Sequence, residues 1–193
     1  VLAKSVDVPQ GIPVQRLMTA IDGVPKRGKF TVYYGGRFST SKRVNDLADV
    51  VDAFYRFGRD VEFVVTTCSL DGMKRSRFEE RFPQVELHIG LPQEEAWKVM
   101  AGCHASICFS SHELFGMAFW EQMAAGLAVV MKAESWNEYL LPPNYPLVCR
   151  NALEAGAMLR DVYDGWAAYE SEDRGAWRPE HGRWVREQYD SAK

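Results

Sequence analysis

Two glutamates eight positions apart, Glu113 and Glu121, bracket a glycine in the segment Ser110-Ser-His-Glu113-Leu-Phe-Gly116-Met-Ala-Phe-Trp-Glu121-Gln-Met-Ala-Ala-Gly126. The segment reads as a loop that feeds a helix. Glu113 falls in the loop, and Glu121 about one and a half turns into the helix at 3.6 residues per turn. A helix N-terminus presents free N–H groups and a partial positive charge, which suits a phosphate. Glu121 stands among Met117, Ala118, Phe119, Trp120, Met123, Ala124 and Ala125. A carboxylate in such company is costly unless partnered, and sugar hydroxyls, a basic residue elsewhere or water would each serve.

A second loop has complementary chemistry. Gly35-Gly36-Arg37-Phe38-Ser39-Thr40-Ser41-Lys42 follows a strand-like run and precedes a helical one. Two glycines let backbone N–H groups approach an anion, and Arg37 and Lys42 supply positive charge. An ordinary turn with solvated basic residues has the same composition, so the loop alone does not decide.

Other signals fail on context. Gly23-Val-Pro-Lys-Arg-Gly28-Lys29-Phe30 nearly spells a phosphate-binding GxxxxGK[ST] loop, but Phe30 replaces the hydroxyl and a strand follows where a helix is required. No GxGxxG opens a helix, and no G-x-S-x-G elbow anchors a hydrolase triad. His88, His104, His112 and His181 form no HxxxH pair, and Cys68, Cys103, Cys108 and Cys149 no CxxC pair. Burial is the better reading of Cys103-His104 than metal binding.

The elements that would position the two loops alternate. Strand signals fall at 30–34, 61–66, 85–89, 105–109 and 127–131. Helical spacing falls at 46–58, in a short patch at 78–82, at 93–102 with Ala96, Trp97 and Met100 on one face, and at 116–125. Gly58, Gly90 and Gly126 stand as stops. Five strands alternating with helices predict right-handed crossovers and a parallel sheet, hence one doubly wound α/β domain at 30–150 with ligands at the carboxyl ends of its strands. Residues 1–29, rich in proline and glycine, read as a linker with one apolar element at 14–21. Residues 151–193 read as two helices of the same domain, broken near Gly175 and Pro179.

Composition narrows the function classes. The chain has 193 residues, 47% of them hydrophobic and 25% charged, with a net charge of -3, so nothing suggests a nucleic-acid partner. No apolar run approaches the roughly 18 residues of a membrane span. Four scattered cysteines predict a reducing, cytoplasmic setting, not a disulfide scaffold. A chain that opens on Val1 reads as a piece of a longer protein.

Taken together, the motifs resemble the retaining glycosyltransferases of GT-B architecture. The pair Glu113 and Glu121 is similar to that family's signature, and Arg37 with Lys42 five positions on is similar to its phosphate loop. Val8-Pro9-Gln10-Gly11-Ile12 resembles the interdomain segment, and Leu127-Ala-Val-Val130 the strand after the signature helix. Glu138 falls where the family has a Gly-Gly-x-x-Glu loop, but Ser135-Trp136-Asn137 replace the glycines.

The resemblance covers about residues 8–189 and implies the carboxyl-terminal, Rossmann-like half of such an enzyme, with the acceptor-binding amino-terminal half elsewhere. It implies a nucleoside diphosphate sugar, such as a uridine or guanosine diphosphate sugar, as donor. Gly36, Arg37, Lys42 and the N–H groups of Phe115, Gly116 and Met117 would take the diphosphate without a metal. Glu121 would take the ribose, Glu113, the candidate catalytic residue, would lie near the donor sugar and bind its hydroxyls, and Thr67, Ile89, Gly90 and Leu91 would take the base. A nucleotide-sugar epimerase or a noncatalytic nucleotide-sugar-binding module is the alternative. A phosphorylase would need a lysine for pyridoxal phosphate, and no residue stands out for it.

Overall fold

β-branched and aromatic runs between glycines build one parallel sheet. The computed structural model describes residues 11–55, 61–70, 79–80, 82–113, 116–171 and 181–188. Five strands form where the sequence predicts them: β1 (Phe30–Gly35), β2 (Val61–Thr67), β3 (Val85–Ile89), β4 (Ala105–Cys108) and β5 (Ala128–Lys132). A sixth, β6 (Val148–Cys149), corrects the expectation of five. Its two residues follow Pro142, Pro143 and Pro146, too short for periodicity to register. It joins the edge through Met131 N–H to Leu147 C=O (2.8 Å) and Ala133 N–H to Cys149 C=O (2.7 Å).

All pairs are parallel, in the order β3-β2-β1-β4-β5-β6. The helices are α1 (Val14–Ala20), α2 (Val44–Tyr55), α3 (Gln93–Ala101), α4 (Met117–Ala124), α5 (Asn137–Leu140), α6 (Ala152–Ser171) and α7 (His181–Gln188). A short 3-10 turn, Thr40–Lys42, precedes α2. The predicted stop at Gly58, the break near Gly175 and Pro179, Phe78 of the short patch, and Val8-Pro9-Gln10 lie outside the described residues.

Both faces of the sheet are covered, which is why its inner strands read as continuous apolar runs and not as alternation. One core packs Phe30, Val32, Phe54 and Phe63 with Leu159 of α6. The other packs Tyr33, Val64, Trp97 and Met123 with Leu17 of α1 and Val185 of α7. The described part of the amino-terminal segment is thus less loose than its prolines and glycines suggest. Ile12 and Leu17 are fully buried, and α1 packs on α3 and α4. An amphipathic helix of seven residues gains stability from that tertiary packing, not from its own turns.

His104 and Cys103 are buried, as expected. The His104 ring stacks on Phe30 with centroids 5.4 Å apart, and its Nδ1 accepts the Thr31 N–H at 3.1 Å. Burial holds that imidazole down to about 4, neutral at physiological pH. No helix among the described residues is long and apolar enough to cross a membrane.

Candidate functional site

The strand order reverses between β1 and β4, and loops leave the carboxyl ends of both strands at this switch point. These are the two loops singled out in the sequence. They are fastened together: Ser111 N–H donates to Ser41 C=O (2.9 Å), and Ser111 Oγ lies 3.1 Å from the same oxygen. Lys42 Nζ donates to Ser110 Oγ at 3.1 Å and to the Glu113 carboxylate. Glu113 and Lys42 therefore satisfy each other, and both are largely shielded from solvent.

A cleft of about 360 Å³ opens beside this junction, lined from β1, β2, α3 and α4. Gly36, Arg37, Thr67, Leu91 and Glu121 contribute to its lining, so five of the predicted site residues meet there. Lys42 and Glu113 lie outside that lining, in the adjoining loops. Gly116 caps the start of α4 in the left-handed region (φ 64°), where a Cβ would lie 2.2 Å from the Phe119 ring. Only glycine fits there. Met117, in the first turn, is exposed. Ile89 and Gly90 form the turn after β3, with Gly90 N–H bonded to Thr67 C=O at 2.8 Å, but neither lines the cleft. Phe115 lies outside the described residues. Glu138 is exposed on the short helix α5, whose backbone replaces a glycine turn.

Glu121 carries the most unusual electrostatics. Burial raises its carboxyl above the ordinary range, opposed by hydrogen bonds from Trp97 and Gln93. Trp97 Nε1 donates to Oε2 at 2.9 Å, and Gln93 Nε2 to Oε1 at 3.4 Å. Both donors are neutral, so the carboxylate keeps its charge for another partner.

The sequence reading missed several cleft residues. The Tyr33 and Thr66 hydroxyls bond each other in the lining, and burial raises the Tyr33 phenol well above its usual value. Gln122 is buried with no hydrogen-bond partner for its Oε1. Trp97 was recognised only as part of an apolar face. Its spacing from Gln93, four residues along one helix, was the available signal that the two act together. Burial pushes the Cys108 thiol up to about 11, so it is no nucleophile. Among the described residues, no cluster of three or more His, Cys, Asp or Glu could hold a metal.

Comparison with known proteins agrees with this fold. Residues 20–145 match the family model described as Glycosyl transferases group 1. No curated protein matches. Among solved structures, AviGT4, a glycosyltransferase involved in avilamycin A biosynthesis, is similar at 18% identity and a TM-score of 0.65, over 97% of this chain and 53% of that one. HepE from Anabaena, solved with UDP-glucose, is similar at 16% identity and a TM-score of 0.65, over 92% and 49%. WaaG, a glycosyltransferase involved in lipopolysaccharide biosynthesis, is similar at 16% identity and a TM-score of 0.58, over 95% and 51%. This chain spans about half the length of each. The shared fold is the α/β, Rossmann-like sheet of GT-B glycosyltransferases.

Proposed function

The chain belongs to the glycosyl transferases group 1 family, and from that premise we propose that it binds a nucleoside diphosphate sugar as the carboxyl-terminal, donor half of a retaining GT-B enzyme. The observation that carries the reading is Glu121. It is a shielded carboxylate, held by two neutral donors among the described residues, in a cleft at the carboxyl ends of a doubly wound sheet. Such a group is poised to accept hydrogen bonds from ribose hydroxyls.

The other roles follow from placement. The reaction expels a diphosphate, so the site must stabilise growing negative charge. Arg37, Lys42 and the first turn of α4 at Gly116 and Met117 supply that stabilisation without a divalent ion, while the Gly36 N–H, bonded to Thr66 C=O at 3.2 Å, is already engaged. Lys42 exchanges Glu113 for a phosphate oxygen when the donor binds, which releases Glu113 towards the donor sugar. Thr67 and Leu91 contact the base, with the Ile89-Gly90 turn behind them. The acceptor is held by a second, amino-terminal domain.

Titration calorimetry of this chain with uridine diphosphate and guanosine diphosphate tests the reading. The expected result is binding of one nucleotide, with no transfer to an acceptor. Failure of both to bind overturns the donor assignment. Efficient transfer by this chain alone overturns the two-domain part.

A further inference from the structure

Glu121 does not choose its own orientation. Trp97 is buried in the core beside Met100, so its ring and its indole N–H have one available direction. That direction ends on Glu121 Oε2, at 2.9 Å. Gln93, four residues earlier on the same face of α3, reaches the other oxygen at 3.4 Å. The Arg16 guanidinium sits 5.7 Å from the centroid of the Trp97 ring and is paired with Glu94 at 2.9 Å.

We propose that Trp97, assisted by Gln93, is a positioning residue for the nucleotide: its indole N–H fixes the Glu121 carboxylate in the orientation that receives the ribose. This deepens the donor-binding reading and rests on it. An ionised carboxylate accepts at about four lone-pair sites. The two α3 donors use one on each oxygen, which leaves the others for a neighbouring pair of hydroxyls. A cation in Trp97's place would neutralise the carboxylate and compete with the ligand, as Lys42 does at Glu113. A neutral donor on a rigid ring orients without competing. It also opposes burial in keeping Glu121 ionised. The groups around Glu121 are Trp97 and Gln93 from α3, the Tyr33 phenol from β1, and Arg37 from the phosphate loop across the cleft.

The test combines binding with an indole resonance. Trp97→Phe keeps an aromatic side chain, smaller than the indole, and removes the donor. Affinity for the nucleotide that binds, uridine or guanosine diphosphate, should fall about three- to tenfold, the size of one ordinary hydrogen bond, since the lost contact orients the carboxylate and does not touch the ligand. The acid limb of the binding profile should move to higher pH, since Glu121 loses a contact that favours its ionised form. In the Glu121→Ala background, Trp97→Phe should cost nothing more. The indole N–H resonance that vanishes in Trp97→Phe should shift on nucleotide binding in the unaltered chain, and should titrate with pH except in Glu121→Gln. Unchanged or tighter binding in Trp97→Phe, additive losses in the double variant, or an indole signal indifferent to pH overturns the proposal. Glu121→Ala separates the two readings: if it leaves affinity intact, the ribose role itself is wrong.

Discussion

The Lys42 ammonium and the Glu113 carboxylate are hydrogen-bonded to each other, joining the loop after β1 to the loop after β4. Each is the other's counter-ion, so on the proposed donor reading a diphosphate draws Lys42 away from Glu113.

Glu113→Gln therefore makes Lys42 easier to recruit. Affinity for the bare nucleoside diphosphate should stay constant or tighten by up to about fivefold, in keeping with an ion pair worth about 0.2–1 kcal/mol. Affinity for the sugar nucleotide should fall, and so should the transfer rate of the two-domain enzyme. Parallel calorimetric titrations with the two ligands check it. Equal loss for both would show that Glu113 serves the nucleotide instead of the sugar.

Glu121→Ala should weaken the nucleotide and the sugar nucleotide alike, by about 1–3 kcal/mol. Stability should move the other way. The Glu121 carboxyl is raised by burial, so its ionised form opposes folding at neutral pH. Glu121→Gln should raise Tm at pH 7 by about 2 °C, and the gain should shrink as pH falls through the raised value and Glu121 becomes protonated. Thermal scans from pH 4 to pH 8 would show a flat difference if the carboxylate were simply solvated.

Gly116→Ala should destabilise the domain and blunt its anion site together. The left-handed backbone costs about 1–2 kcal/mol with a side chain. The new Cβ would meet the Phe119 ring at 2.2 Å, which adds about 1–3 kcal/mol of overpacking. A drop in Tm of at least about 4 °C is expected. Gly90→Ala is the control, since its Cβ would meet nothing within 4 Å although φ is 71°. It should cost only the backbone part.

Chelation should matter little. With Arg37 and Lys42 available to the diphosphate, EDTA should leave nucleotide affinity within about twofold, well under the 1.4 kcal/mol of a tenfold change. A strict requirement for added magnesium or manganese would reverse that expectation.

Sequence alone determined the alternation of elements, because strand and helix periodicity are local properties written in neighbouring residues. It located all five longer strands, the glycine turn at Gly90 and the helix start at Gly116, though not the left-handed backbone that glycine adopts there. It also marked both loops, since glycines and charges between a strand and a helix announce themselves. It did not show β6, whose two residues have no period, or the packing of α1, whose partners lie some eighty to one hundred positions away. Above all, only the tertiary structure decided who meets whom. Glu113 lies 71 positions from Lys42, and Glu121 lies 24 from Trp97. Side-chain pairing across such gaps depends on the order in which the strands lie in the sheet, and no local pattern encodes it. One glutamate thus came to rest against a cation and the other against a neutral indole, a difference their spacing could not foretell.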